Sequence, residues 1–195
     1  MHKIKVQAGL AAVAMLMAAC ATQAASGPMG IFITSAGSGK GADLGGLAGA
    51  DAHCQRLAAA AGAGAKTWPA YLSVPPTFAA GANPAVPAVN ARDHIGNGPW
   101  FNAKGELVAR DLAQLHGNNH LSKTSALDER GQVVNDRGEN PNQHDILTGS
   151  REDGTAFAPQ TDTTCGAWTQ SGATGSAIVG HHDRSGPLPE AWAKS

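Results

Sequence analysis

The sequence predicts an α+β domain made of one main helix, several short strands and long loops. Three observations carry that expectation. Residues 46–73, GLAGADAHCQRLAAAAGAGAKTWPAYLS, show helical apolar spacing followed by period-two spacing. Elsewhere the apolar runs are short and end at Gly, Asn or Asp. The 25 glycines and 11 prolines among 195 residues favour many turns and disfavour a helical bundle.

Charge and composition exclude several function classes. The formal net charge of -1 provides no basic field to hold nucleic acid or an anionic membrane surface. Hydrophobic residues at 42% suffice for a core, while aromatics at 5% make each of the four tryptophans a major packing unit.

Residues 1–20 read as a signal peptide. Lys3 and Lys5 form a positive start, and Val6 to Ala18 is apolar but too short to span a bilayer comfortably. Met17-Ala18-Ala19-Cys20 resembles a lipobox, which assigns lipidation to Cys20. The other reading is a secretory peptide cut near Ala24 or Ala25. Both readings predict export: a periplasmic or outer-membrane lipoprotein, or a secreted protein, in a compartment where disulfides persist. A linker at 21–29 then leads into one domain over 30–195.

The elements follow in order. Gly30 to Ser35 predicts a first strand, with Ile31 and Ile33 on one face. Gly37 to Gly46 predicts a loop. Leu47, Ala50, Cys54, Leu57 and Ala61 form an apolar stripe on a helix from about Ala48 to Ala61, with Asp51 in its first turn and Gly62 as its stop. Trp68 to Val74 predicts an edge strand with Trp68, Ala70 and Leu72 on one face. Pro75 to Val89 predicts a surface loop. Two hairpins are expected around Lys104-Gly105 and Arg130-Gly131, with a helical turn at Asp111–Leu115 between them. Ile146–Gly149, a turn at Asp153-Gly154, Cys165–Thr169 and a strand at Ala177–Gly180 complete the pattern.

Five segments in this chain order, GADAHCQ, WPAYLS, FNAKGELVA, LTGSREDGT and CGAW, resemble the endostatin-like branch of the C-type-lectin-like fold. The resemblance runs from about Phe32 to about Gly180. It implies a twisted, mostly antiparallel sheet with one or two helices and long loops. It also implies two nested disulfides, of which Cys54 and Cys165 match the first members. The family's final strand and its two cysteines have no counterpart here, so the resemblance implies a C-terminally shortened domain. Cys54 and Cys165 then have three readings: a bond to each other, buried free thiols, or members of a poorly folding relative.

Several constellations bear on chemistry. His116 with His120, His144-Asp145, and His181-His182-Asp183 concentrate imidazole and carboxylate, but no HExxH or CxxC supplies ligand spacing. Exposed loop histidines are the expectation. Glu139-Asn140-Pro141-Asn142 suggests a calcium loop, with Glu139, Asn142 and Asp145 as candidate ligands. The family's calcium residues do not transfer, because this segment precedes LTGS and Trp168 is followed by Thr169-Gln170. No GxSxG elbow exists, and Gly37-Ser38-Gly39-Lys40-Gly41 lacks P-loop spacing. The expectation is a binding module without catalysis. Its partner would be a carbohydrate or a surface protein, contacted through Asn90, Trp100 and Asn142. Trp68 and Trp168 are expected in the core. The alternatives are a structural cell-envelope lipoprotein and a metal-dependent hydrolase.

Overall fold

The computed structural model describes residues 25–78, 84–158 and 162–183. The expected signal peptide over residues 1–20 with Cys20, and Trp192, lie outside the described residues. The fold is α+β. Helix α1 covers Gly46–Ala60, α2 Ala91–His94, α3 Leu112–Leu115 and α4 Cys165–Trp168. The strands are β1 Thr77–Phe78, β2 Pro84–Val86, β3 Trp100–Phe101, β4 Leu107–Ala109, β5 Asp145–Leu147 and β6 Val179–His181.

The strands pair as three antiparallel ladders, β1-β2, β3-β4 and β5-β6. Among the described residues these do not join into the one twisted sheet that the resemblance implies. Isolated bridges replace longer ladders, because side chains capture backbone donors that a neighbouring strand would take. The Trp68–Val74 run shows how. The Trp68 amide donates to Gln55 Oε1 and the Ala70 amide to Asp51 Oδ1. Only Val74 exchanges both bonds with a partner, Val89, at 2.9 Å each. The run is therefore extended without a ladder, yet Trp68, Ala70 and Leu72 are all buried, as the period of two predicts.

The expected first strand likewise reduces to contacts at separate points. Ile33 forms a parallel bridge with Asp128, and the amides of Gly30 and Ile31 share the Phe101 carbonyl. The Pro75–Val89 segment, expected as loop, contains the β1-β2 ladder. The hairpin at Lys104-Gly105 is the β3-β4 pair, and the one at Arg130-Gly131 has a single bridge, Leu127 to Val133. Asp111 caps α3 by accepting the Gln114 amide at 2.8 Å.

Helix α1 starts earlier than expected, after Gly45 in a left-handed conformation. Asp51 is therefore past the first turn, and its carboxylate bridges to Ala70 and to His94 instead of the helix end. Ala50 and Ala58 form the buried face, with Leu47 and Cys54 packed against the core. Ala61 is exposed, because the helix has ended before it. Gly62, at φ 82, is the expected stop.

Two clusters fill the interior. Ala50, Ala70, Leu72, Val74 and Trp168 form one; Trp100, Val108, Ala109 and Leu115 form the other. Trp168 reaches the first through α4, a left-handed turn with Cys165, Gly166, Ala167 and Trp168 at φ 46, 66, 57 and 66. Each non-glycine residue there costs about 1–2 kcal/mol. The Thr164 hydroxyl caps the turn at the Ala167 amide, and full burial of the indole offsets the strain.

Cys54 and Cys165 are free thiols. Burial, aided by the Asp51 charge, pushes the Cys54 thiol up to about 11. Among the described residues, no helix is long and apolar enough to cross a membrane.

Candidate metal centre

The β5-β6 ladder brings together two of the imidazole–carboxylate segments that lie far apart in the sequence. Its register sets Asp145 directly opposite His181, Ile146 opposite Gly180 and Leu147 opposite Val179. His144 precedes β5 and Asp183 follows β6, so four polar side chains gather at one end of the ladder. Asn142 turns the chain into this position by accepting the His144 amide at 3.0 Å.

Asp145 Oδ1 lies 3.1 Å from His181 Nδ1 and 3.4 Å from His144 Nε2. The two imidazole rings stack, with centroids 4.0 Å apart and planes 16° apart. One ligand atom from each of His144, Asp145 and His181 falls within 4.8 Å of the others, so the group can hold a metal ion. Donors at zinc distances of about 2.0–2.2 Å in a tetrahedron stand about 3.3–3.6 Å apart. The two carboxylate–imidazole separations are close to that spacing, whereas the nearly parallel rings require one imidazole to turn before both lone pairs meet a single ion.

The residue behind the site is Asp183. Its Oδ1 lies 2.7 Å from His144 Nδ1, and its Oδ2 accepts the Arg137 amide at 3.1 Å. Burial raises the Asp183 carboxyl, but the Arg137 amide and the His144 ring outweigh that and hold it at about 2. An ionised Asp183 can only accept, so His144 donates to it from Nδ1, and Nε2 is the ring nitrogen turned toward Asp145. A carboxylate that orients a ligating histidine from behind is the usual outer shell of a metal site.

The interior and solvent sides of the group differ. His144 is buried and Asp183 partly so, with 10% and 11% of their side chains exposed, whereas the side chains of His181 and Asp145 are 42% and 63% exposed. An ion held there would be fixed from the protein side and open on the other. His182 points elsewhere and donates from Nε2 to the Asn135 carbonyl, 3.1 Å away; its Nδ1 is buried with no partner among the described residues.

The other sequence candidates do not join this group. Glu139 accepts the Asp136 amide at 2.8 Å and binds the Lys123 ammonium, which lowers its carboxyl. A lysine therefore already neutralises the carboxylate that a calcium loop would use. Asn90 is committed to structure: Nδ2 donates to Asp93 and Oδ1 accepts the Ala156 amide. Trp100 is 5% exposed and packs in the second cluster, so it presents no open ring face to a sugar. It instead helps line a cleft of about 300 Å³ with Phe32, Cys54, Lys66, Trp68 and Tyr71.

Sequence reasoning weighed His144, His181 and Asp183 for metal binding but set them aside for want of ligand spacing, and kept Asp145 among the candidates only as part of a calcium loop. It expected exposed loop histidines, whereas His144 and His182 are buried. The available signal was the repeated pairing of His with Asp in two strand-flanking segments. No family model, curated protein or solved structure matches the chain.

Proposed function

We propose that this chain is an exported, lectin-like binding module that recognises a carbohydrate or a surface protein through a divalent metal held by His144, Asp145 and His181. The observation that carries the reading is the 2.7 Å hydrogen bond from His144 to Asp183, which pre-orients an imidazole toward an open carboxylate–imidazole pair. The C-type-lectin-like architecture belongs to the same reading. It is supported by α1, the Trp68–Val74 run and the Trp168 turn converging on one core in the chain order of the resemblance. Export, with a lipid anchor at Cys20 or as a secreted protein, completes it.

Binding is favoured over hydrolysis by the use of the two carboxylates. Asp145 is a ligand and Asp183 is committed to His144 and the Arg137 amide, so neither is free to act as general base. The donor set favours an imidazole-binding metal over calcium, which takes six to eight oxygens.

A glycan array probed with the exported chain, with and without EDTA, tests this reading. The expected result is selective binding that EDTA abolishes and a divalent metal restores. Binding indifferent to EDTA and to His181→Ala would remove the metal from recognition. No binding by a folded sample would favour a structural envelope protein.

A further inference from the structure

We infer that the metal at this site is also a clasp, which fastens the outer end of β6 to the body of the protein, and that it belongs to the zinc class. This rests on the metal reading above and extends it to what loading the site does to the chain.

The attachment of β6 changes character along its length. Its inner approach is held by backbone bonds: the Ile178 carbonyl accepts the amides of Thr148 and Gly149, and the Ile178 amide donates to Thr163. Thr164 and Ala177 add an antiparallel bridge. Beyond Ile178 the support is thinner. The ladder is three residue pairs long, and Val179 is among the exposed large hydrophobics. Ile146 and Leu147 are only half-buried. Among the described residues, little apolar surface therefore holds residues 179–183 in place.

Polar side chains hold that end instead. Asp183 reaches back to His144 and the Arg137 amide, and His182 reaches the Asn135 carbonyl. The three metal donors straddle the same join. His144 and Asp145 come from the β5 side and His181 from β6, with Asp145 and His181 in register. An ion at this point is thus bound by both strands at once and cannot remain fully coordinated if β6 lifts away. In the loaded site His181 carries its proton on Nε2, freeing the Nδ1 lone pair for the metal. Two neutral imidazoles and one carboxylate suit zinc, nickel or copper and offer calcium too few oxygens.

By mass action, metal at 100 times its Kd reduces the population with β6 detached about 100-fold, when that state does not bind metal. Hydrogen exchange reads this directly. Chelator-stripped full-length protein would be compared with and without zinc chloride, and separately with calcium chloride, while isothermal titration gives stoichiometry. The expected result is one zinc per chain and about 100-fold slower exchange confined to residues 179–183 and the amides that pair with them, those of β5 and Arg137. Amides of α1 should be unchanged, calcium should have no effect, and His181→Ala should abolish the protection.

Zinc bound at one per chain without protection of β6 would overturn the clasp and leave the metal reading standing. Equal slowing throughout the chain would also overturn it. Calcium giving the same protection would overturn the zinc-class assignment. Undiminished zinc binding by His181→Ala would place the metal elsewhere, and no zinc binding at all would refute both the clasp and the metal reading.

Discussion

Replacing Trp168 is the sharpest test of how the fold is held. Its side chain is fully buried, and its indole N–H donates to the Ser73 carbonyl at 2.9 Å. A tryptophan buries about 150–250 Å². At about 25 cal/mol per Å², that is about 4–6 kcal/mol of transfer free energy. Trp168→Ala should therefore destabilise by about 3–5 kcal/mol, the range measured for large aromatic truncations. Trp168→Phe separates the two contributions. It keeps most of the apolar body but leaves the Ser73 carbonyl without this donor, a loss of about 1–3 kcal/mol for a buried acceptor. Urea unfolding followed by far-ultraviolet circular dichroism gives both values, read as midpoint shifts at constant slope. A loss below about 1 kcal/mol for the alanine variant would refute the placement of Trp168 at the centre of the first cluster. A phenylalanine variant equal to wild type would refute the indole–Ser73 bond as a contributor.

Two further outcomes are expected. The Asp183 carboxyl is lowered from 3.8 to about 2, so its contribution to stability is complete above pH 4 and disappears as pH falls through about 2. In metal-free buffer, urea midpoints between pH 5 and pH 2 should fall more steeply for wild type than for Asp183→Asn; parallel profiles would contradict this. Cys54, with its thiol raised to about 11, should react with iodoacetamide at pH 8 about a hundredfold more slowly than a free thiol, followed by mass spectrometry of its peptide. Labelling at the rate of a free thiol would show that the burial is wrong.

Local patterns in the sequence were legible where one residue type dictates one geometry. Gly62 ends α1, and Gly105 supplies the positive φ of the β3-β4 turn. Alternation in Trp68, Ala70 and Leu72 identified a buried face without a ladder to create it. Other features depend on partners distant in the chain. Asp51 left the helix dipole for Ala70 and His94, which lie 19 and 43 residues away. The same limit applied to the candidate metal centre. His144 and Asp183 are 39 residues apart, and only the register of β5 on β6 shows that they touch. Trp100 was judged by its place on a hairpin arm, but which side of the hairpin faces the core is a tertiary fact.

The turn that carries Trp168 also sets a rule of chirality for its own sequence. Ala167 occupies φ 57, ψ 43, a conformation that is the mirror image of an ordinary helical residue. For a D-amino acid this is the relaxed state, and the steric cost of about 1–2 kcal/mol borne by the L-residue disappears. A chain assembled chemically with D-alanine at 167 would keep the methyl group and lose the strain. Ribosomal synthesis has no such residue to offer. Its nearest substitute is the achiral one, and this turn already uses it at Gly166.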